Sequence, residues 1–296
     1  MARADATSSL AVTGSASIED ALRFGISVLS ESRGSGRADA LILLAHVLAR
    51  PREWIVAHDE ALISEADFAL FIDLCARRCE GEPVAYITGS AWFCGRQFIV
   101  DTSVLIPRAE TEHLVEEAVR FMRSRDGACR VLDVGTGSGA IACSIATETG
   151  AHVEGVDVSP EALTIARRNA ERLGVTGFCR FVQGNLADAV SSECYDVIVA
   201  NLPYVPTADL RPAPDPTSFE PRIALDGGSD GLSLYREMMR DAPALVAADG
   251  IVLLEAAPPT IESLAKLTQL ALPNFTVSVG HDYAGLARYV KAAGQS

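Results

Sequence analysis

Asp133-Val134-Gly135-Thr136-Gly137-Ser138-Gly139 decides the architecture of this chain. The heptapeptide follows an apolar run, Val131 to Val134, and opens onto a helical stretch from Gly139 to Glu148, so it reads as strand, glycine turn and helix. Glycines there let the backbone turn tightly and let a ligand approach it, because no Cβ intervenes. Twenty-two residues after Gly135, Asp157 ends the next apolar run, Val153 to Asp157. A carboxylate at that point can accept the hydroxyl protons of an unphosphorylated ribose. Working outward, a helix is expected at Pro160 to Leu173, strands at Cys179 to Val182, Val197 to Ala200 and Ile251 to Glu255, and helices near Leu232 to Leu245 and Thr260 to Leu270. Such alternation requires crossovers and therefore a largely parallel sheet with helices on both faces. The last two strands, Phe275 to Val279 and Ala287 to Val290, are too close for a crossover helix and should pair antiparallel.

Toward the N-terminus the period changes. Residues 1–16 are rich in Ala, Ser, Thr and Gly and read as a disordered tail rather than a secretory signal. From residue 17 to 82 the apolar spacing is helical: Ile18, Ala21, Leu22, Gly25, Ile26 and Leu29, then Leu41, Leu44, Ala45 and Leu48. Ser17 with Asp20, Pro51, and Ser64 with Asp67 mark helix starts. A small helical bundle follows from this pattern, serving either as a structural cap or as a substrate-recognition element. Residues 83–105, around Gly89 and Gly95, read as a β-hairpin linker. Residues 106–296 form the α/β domain, entered through a helix from about Glu110 to Arg125.

Composition narrows the function classes. Net charge is −14, which opposes an extended nucleic acid and suits a small molecule or a protein with a basic surface. No apolar run is long enough to span a bilayer. The seven cysteines are scattered and odd in number, arguing for a reducing, cytoplasmic setting without a disulfide framework. Cys75 and Cys79 share a helix face as packing residues, and the five histidines form no zinc pattern, so no metal is expected.

The glycine loop alone fits both a nicotinamide dinucleotide and S-adenosylmethionine. The strand Val197 to Ala200 separates them, because Asn201-Leu202-Pro203-Tyr204 follows at its carboxyl end, where ligands of open α/β sheets bind. An amide nitrogen is a poor nucleophile, its lone pair being delocalised. Asn201 Oδ1 and the Leu202 carbonyl can each accept one of its N–H groups and stabilise positive charge as it is alkylated. Pro203 stiffens the turn, and Tyr204 offers a face for a planar group. The expected reaction is nitrogen methylation, with Asn201, Pro203 and Tyr204 as its catalytic residues.

These residues resemble the protein glutamine-N5 methyltransferases that modify peptide chain release factors, the HemK or PrmC family. The likeness runs through Gly81-Glu82-Pro83-Val84-Ala85-Tyr86-Ile87, Ile106-Pro107-Arg108-Ala109-Glu110-Thr111-Glu112, the glycine loop, the Asn-x-Pro-Tyr element, and Glu220-Pro221-Arg222-Ile223-Ala224-Leu225-Asp226-Gly227-Gly228. It implies a class I S-adenosylmethionine-dependent methyltransferase fold, Rossmann-like, with a seven-stranded sheet whose last strand pair is antiparallel, preceded by a helical bundle and a hairpin. It implies methylation of the glutamine side chain in the GGQ segment of class 1 release factors, by a cytoplasmic enzyme expected to be a monomer. Gly135, Thr136, Gly137, Ser138, Gly139, Asp157, Asn185, Leu186 and Asn201 are implied to contact the cofactor. Asn201, Leu202, Pro203, Tyr204, Arg108, Glu220 and Pro221 are taken as the substrate side.

Three departures bear on substrate and cofactor. Leu202 replaces the family's first proline, giving an element similar to that of enzymes that methylate adenine N6 in ribosomal RNA. Asn185 and Leu186 stand where the family carries Asp and an aromatic residue, which keeps an acceptor for the adenine amino group and removes a stacking surface. Ala256-Ala257 replaces the Ile-Gly of its Glu-Ile-Gly turn. The competing readings are the same chemistry on another protein, a metabolite or adenine; a cofactor-binding module without activity; and a nicotinamide dehydrogenase. The proline-rich segment from Val205 to Glu220 is expected to be a substrate-facing flap.

Overall fold

The structure is a computed structural model that describes residues 16–30, 36–186, 188, 190 and 194–295. The expected tail falls outside these residues apart from Ala16. The chain divides into two compact units, one comprising the residues up to Thr88 together with Ala213–Pro216, the other Gly89–Pro212 and the residues from Thr217 onward.

The first unit is helical: α1 (Ile18–Ser30), α2 (Gly36–Val47), α3 (Arg52–Ala57), α4 (Glu65–Cys79) and α5 (Val84–Thr88). Its starts are the expected ones. The Ser17 hydroxyl accepts the Asp20 N–H at 3.1 Å, and Ser64 does the same for Asp67 at 3.0 Å. Ile18, Leu29, Leu43, Leu44, Ile55, Phe71 and Leu74 meet in its core. Cys75 is buried among them, and burial pushes its thiol up to about 12, as befits a packing residue. Gly25 on α1 lets α4 approach, since a Cβ there would lie 2.6 Å from the Phe71 ring.

The hairpin linker expected over residues 83–105 needs correction. Val84–Thr88 is helical and packs with the bundle, Ile87 joining its core. Only β1 (Ser90–Phe93) and β2 (Arg96–Ile99) form the hairpin, and both belong to the second unit. The tight turn is made by Cys94 and Gly95, whose φ of 47° and 70° are what a two-residue hairpin loop requires. Phe93 and Phe98 are buried in the core of the α/β unit, so the hairpin is part of that unit's packing. One buried side chain secures it: Asn169 Oδ1 accepts the Ile99 N–H at 2.7 Å, while its Nδ2 donates to the Ile99 carbonyl at 3.0 Å. The same Nδ2 donates to the Ser138 carbonyl at 2.9 Å, joining hairpin to glycine loop.

The second unit continues with α6 (Glu112–Arg123), β3 (Arg130–Val134), α7 (Ala140–Thr149), β4 (His152–Asp157), α8 (Pro160–Arg172), β5 (Cys179–Gln183), β6 (Tyr195–Ala200), α9 (Ser233–Leu245), β7 (Val246–Glu255), α10 (Ile261–Ala271), β8 (Thr276–His281) and β9 (Ala287–Ala293). The seven strands run in the order β5-β4-β3-β6-β7-β9-β8, parallel except for β9, which is antiparallel to both β7 and β8. That closing antiparallel strand is the arrangement expected from the short connection. The order reverses at β3, which is the crevice where open α/β sheets bind ligands. Register makes the crevice specific. Val134 pairs with Val156 on one side and Ala200 on the other, so the next residues, Gly135, Asp157 and Asn201, emerge at one level.

Replacing Asn169 with Ala strips three hydrogen bonds from backbone groups of the hairpin and the glycine loop. It should lower unfolding free energy by about 2–4 kcal/mol in urea denaturation, since each buried group left unpaired costs about 1–3 kcal/mol.

Candidate active site

The glycine loop is held against β4, because the Gly135 and Thr136 N–H groups both donate to the Val156 carbonyl, at 2.8 and 2.9 Å. Its three glycines have different reasons to exist. All have positive φ, but a Cβ on Gly135 would lie 2.9 Å from the Leu202 side chain, and one on Gly139 would lie 3.0 Å from Ala166 on α8. A Cβ on Gly137 would meet only the Gly135 carbonyl, at 3.9 Å. Gly137 therefore leaves room for a ligand, whereas Gly139 leaves room for a helix. Gly135, Thr136, Gly137 and Ser138 line the cleft, and Gly139 lies against α8 instead.

Asp157 Oδ2 accepts the Gly137 N–H at 2.8 Å and Oδ1 accepts the Ser159 N–H at 2.9 Å. Burial raises its pKa against these donors. A carboxylate offers about four acceptor positions, so capacity remains for the hydroxyls of a ribose. Asp133, beneath the loop, takes the Thr136 hydroxyl at 2.7 Å and the Ala142 N–H at 3.1 Å on one oxygen. It is fully buried, and desolvation pushes its pKa up to about 7. Asn185, which also lines the cleft, donates through Nδ2 to Glu237 at 2.8 Å, which leaves its Oδ1 available as an acceptor. Leu186 lines the same cleft with φ of 49° and supplies an aliphatic wall.

Asn201, Leu202 and Pro203 line the opposite side of the cleft. The Asn201 carboxamide is oriented by its nitrogen, which donates to Thr111 Oγ1 at 3.0 Å and leaves Oδ1 as the open end. The Leu202 N–H donates to the Tyr235 hydroxyl at 3.1 Å, and that hydroxyl donates to the Glu255 carbonyl. Among the described residues nothing donates to Asn201 Oδ1 or to the Leu202 carbonyl. Two adjacent acceptors thus stand beside the glycine loop, in contact with it through the Leu202 side chain.

Three expected site residues are placed elsewhere. Tyr204 does not line the cleft: its ring packs against the core and its hydroxyl donates to Glu255 Oε1 at 3.3 Å, so it braces the turn rather than offering a stacking face. Arg108 and Glu220 form an ion pair in which one guanidinium nitrogen, Nη2, donates to both carboxylate oxygens at 2.6 and 2.8 Å, with Glu220 buried. Their flanking prolines, Pro107 and Pro221, line the cleft while the ion pair itself does not. The pair is a clasp that holds two walls of the cleft together. Pro221, Ile223 and Ala224 belong to the second of those walls. The proline-rich segment before it is more ordered than its composition suggests, because Val205 bridges Asp226 and Thr207 Oγ1 bonds the Asp226 carboxylate at 2.6 Å.

Sequence reasoning missed Thr111, Tyr235 and Glu255. Thr111 and Glu255 were visible only as parts of larger segments, although an acid closing an apolar strand is a signal in itself. Tyr235 lay hidden on the apolar face of α9.

Against known proteins, the family described as PrmC N-terminal domain matches residues 20–89, and a methyltransferase domain family matches residues 125–239. A release factor glutamine methyltransferase of Geobacter sulfurreducens is 41% identical, over 75% of this chain and 77% of that one. A second of that description, from Bordetella pertussis, is 39% identical over 86% of this chain and 94% of its own. A ribosomal protein uL3 glutamine methyltransferase of the same organism is 36% identical over 80% of this chain and 83% of that one. In fold the chain is similar to a SAM-dependent methyltransferase from Agrobacterium tumefaciens, with a TM-score of 0.50 at 16% identity, covering 70% of this chain and 69% of the other. A cleft built of a glycine loop, a strand-end carboxylate and two free acceptors is what such enzymes need, and this chain belongs to the release factor glutamine methyltransferase family, with the class I S-adenosylmethionine-dependent methyltransferase fold.

Proposed function

We propose that this protein methylates the side-chain amide nitrogen of the glutamine in the GGQ segment of class 1 peptide chain release factors, working as a cytoplasmic monomer. When bound, S-adenosylmethionine supplies an electrophilic methyl group. The residues present suit it: Gly137 leaves open space, Asp157 keeps acceptor capacity for a ribose, and Asn185 Oδ1 is free for an adenine amino group. No described helix is long and apolar enough to cross a membrane.

One observation carries the reading of the chemistry. With Nδ2 committed to Thr111, Asn201 presents an oxygen, next to the equally free Leu202 carbonyl. Two acceptors are what a primary amide needs to be held with both hydrogens engaged and its lone pair exposed. As the nitrogen becomes tetrahedral and positive, both oxygens draw closer to its charge, so they stabilise the transition state more than the ground state. No general base is required, because an alkylated amide nitrogen is acidic enough to release its proton to water. Apolar walls, including Leu186, Leu202 and Pro203, exclude that water until then. The replacement of proline by Leu202 keeps the main-chain carbonyl that this chemistry uses.

The test is incubation with purified release factors, ribosomal protein uL3 and methyl-labelled cofactor. Label is expected on the GGQ glutamine of a release factor; label on uL3 alone would overturn the substrate assignment. Asn201→Ala should leave cofactor affinity within about tenfold while lowering turnover roughly 10²-fold or more, and unchanged turnover would remove Asn201 from the mechanism. The glycines should separate as well. Gly137→Ala is expected to weaken cofactor binding at least about tenfold in calorimetry with a small loss of stability, whereas Gly139→Ala should cost about 1–3 kcal/mol of stability through overpacking against α8.

A further inference from the structure

Glu255 ends β7 on the far side of the Asn201 turn from the cleft, which it does not line. It is nevertheless the convergence point of the side chains that hold that turn. Tyr204, the last residue of the turn, donates its hydroxyl to Oε1. Thr111, which receives the Asn201 carboxamide, also favours the charged form of the same carboxylate and lowers its pKa. Tyr235, which receives the Leu202 N–H, donates to the main-chain oxygen of Glu255. The carboxylate is 3% exposed, and Oε2 has no partner among the described residues. A buried acid with one oxygen unpaired is costly to keep, which argues for a use beyond packing.

We propose that Glu255 is the positioning residue for methyl transfer: acting through Thr111, it fixes the Asn201 carboxamide with Oδ1 toward the substrate, and through Tyr204 it braces the end of the same turn. The proposal rests on the role given to Asn201 above. A carboxylate only accepts hydrogen bonds. It therefore takes the single Thr111 proton and leaves the Thr111 lone pairs to Asn201 Nδ2. A protonated Glu255 is a donor. It competes with Nδ2 for Thr111 Oγ1, and a carboxamide released from that bond can rotate its NH2 toward the substrate amide, donor against donor. The acid must be ionised for the turn to be competent.

The surroundings decide where that ionisation falls. Desolvation raises the pKa of Glu255 to about 7, opposed by Thr111, Tyr204 and Arg288 and reinforced by Glu110. Arg288, on β9, is shared with Glu110 at 3.3 Å and Asp282 at 2.8 Å. Tyr289, which pairs with Glu255 across β7 and β9, interacts through its hydroxyl with Glu117. Tyr235, on α9, stays protonated, its pKa raised by burial. Because the raised acid is active when ionised, turnover should be full above about pH 7 and fall as pH drops through that value.

The experiment combines kinetics with a readout that needs no substrate. Full-length protein labelled with ¹⁵N-asparagine and saturated with S-adenosylhomocysteine is titrated by NMR, the Asn201 side-chain amide being assigned by its loss in Asn201→Ala. That resonance is expected to shift as pH passes about 7 and to be insensitive to pH in Glu255→Gln. In turnover of release factor, Glu255→Gln, whose NH2 is a donor as the protonated acid is, should lower kcat at every pH and lose the acid limb, since a carboxamide does not titrate. Glu255→Met and Thr111→Val should each lower kcat by about 10²-fold with KM and cofactor affinity little changed. An Asn201 resonance that does not titrate, or an acid limb that survives Glu255→Gln, overturns the proposal, and both remain readable if Glu255→Met fails to fold. If the parent leaves release factor unlabelled while the Asn201 resonance titrates, the substrate reading falls and the positioning role stands.

Discussion

Everything at the cleft depends on the parallel pairing of β3 with β4 on one side and β6 on the other. In that register Val134, Val156 and Ala200 lie in one row across the sheet. The residue after each is then brought to the same edge: a glycine that turns the chain, a carboxylate that can take a ribose, and an asparagine that can take an amide. A strand shifted by one residue would exchange the side chains packed on its two faces, so the packing of both faces of all three strands defends this alignment. Val131, Leu132, Val134, Val156, Val197, Ile198 and Ala200 are each at most 1% exposed, and that burial holds the register.

Around this row the protein spends its buried polar groups in an ordered way. Asp133 and Asp157 tie down the glycine loop from beneath and from the side. Asn169 joins that loop to the hairpin, and Arg108 with Glu220 clasps the walls that carry Pro107 and Pro221. Glu255, Thr111, Tyr204 and Tyr235 hold the acceptor turn from behind. Among the described residues, Asn201 Oδ1 and the Leu202 carbonyl receive no hydrogen bond from the protein, and a substrate amide would need acceptors there. Preorganisation of this kind means that little reorganisation remains to be done as charge develops on the nitrogen.

The departures from the family pattern fall where this framework can absorb them. At Leu202 the change lies in a side chain, which fills the space above Gly135, while the main-chain carbonyl is untouched. At Asn185 an acceptor survives because the amide nitrogen is taken by Glu237. After β7, Ala256 is buried and Glu255 is retained, so the network behind the turn keeps its hub despite the altered turn.

Local pattern was enough to read the strands and helices of the α/β unit, the antiparallel close and the helix caps at Ser17 and Ser64, because periodicity and capping are properties of neighbouring residues. It was also enough to read the glycine loop, Asp157 and Asn201 as a set, since strand ends in such a sheet share one edge by topology. The boundary of the hairpin was misplaced, because Val84–Thr88 alternates like a strand and becomes a helix only by packing Ile87 into the bundle. Arg108 and Glu220 are 112 residues apart, and their pairing is a matter of three-dimensional proximity. Gly139 and Gly137 look alike in the chain and differ only in what lies opposite them, a helix for one and open cleft for the other. Tyr204, Thr111, Tyr235 and Glu255 come from four separate segments, and no one-dimensional spacing can show that their hydrogen bonds converge; that meeting exists only once the sheet has formed.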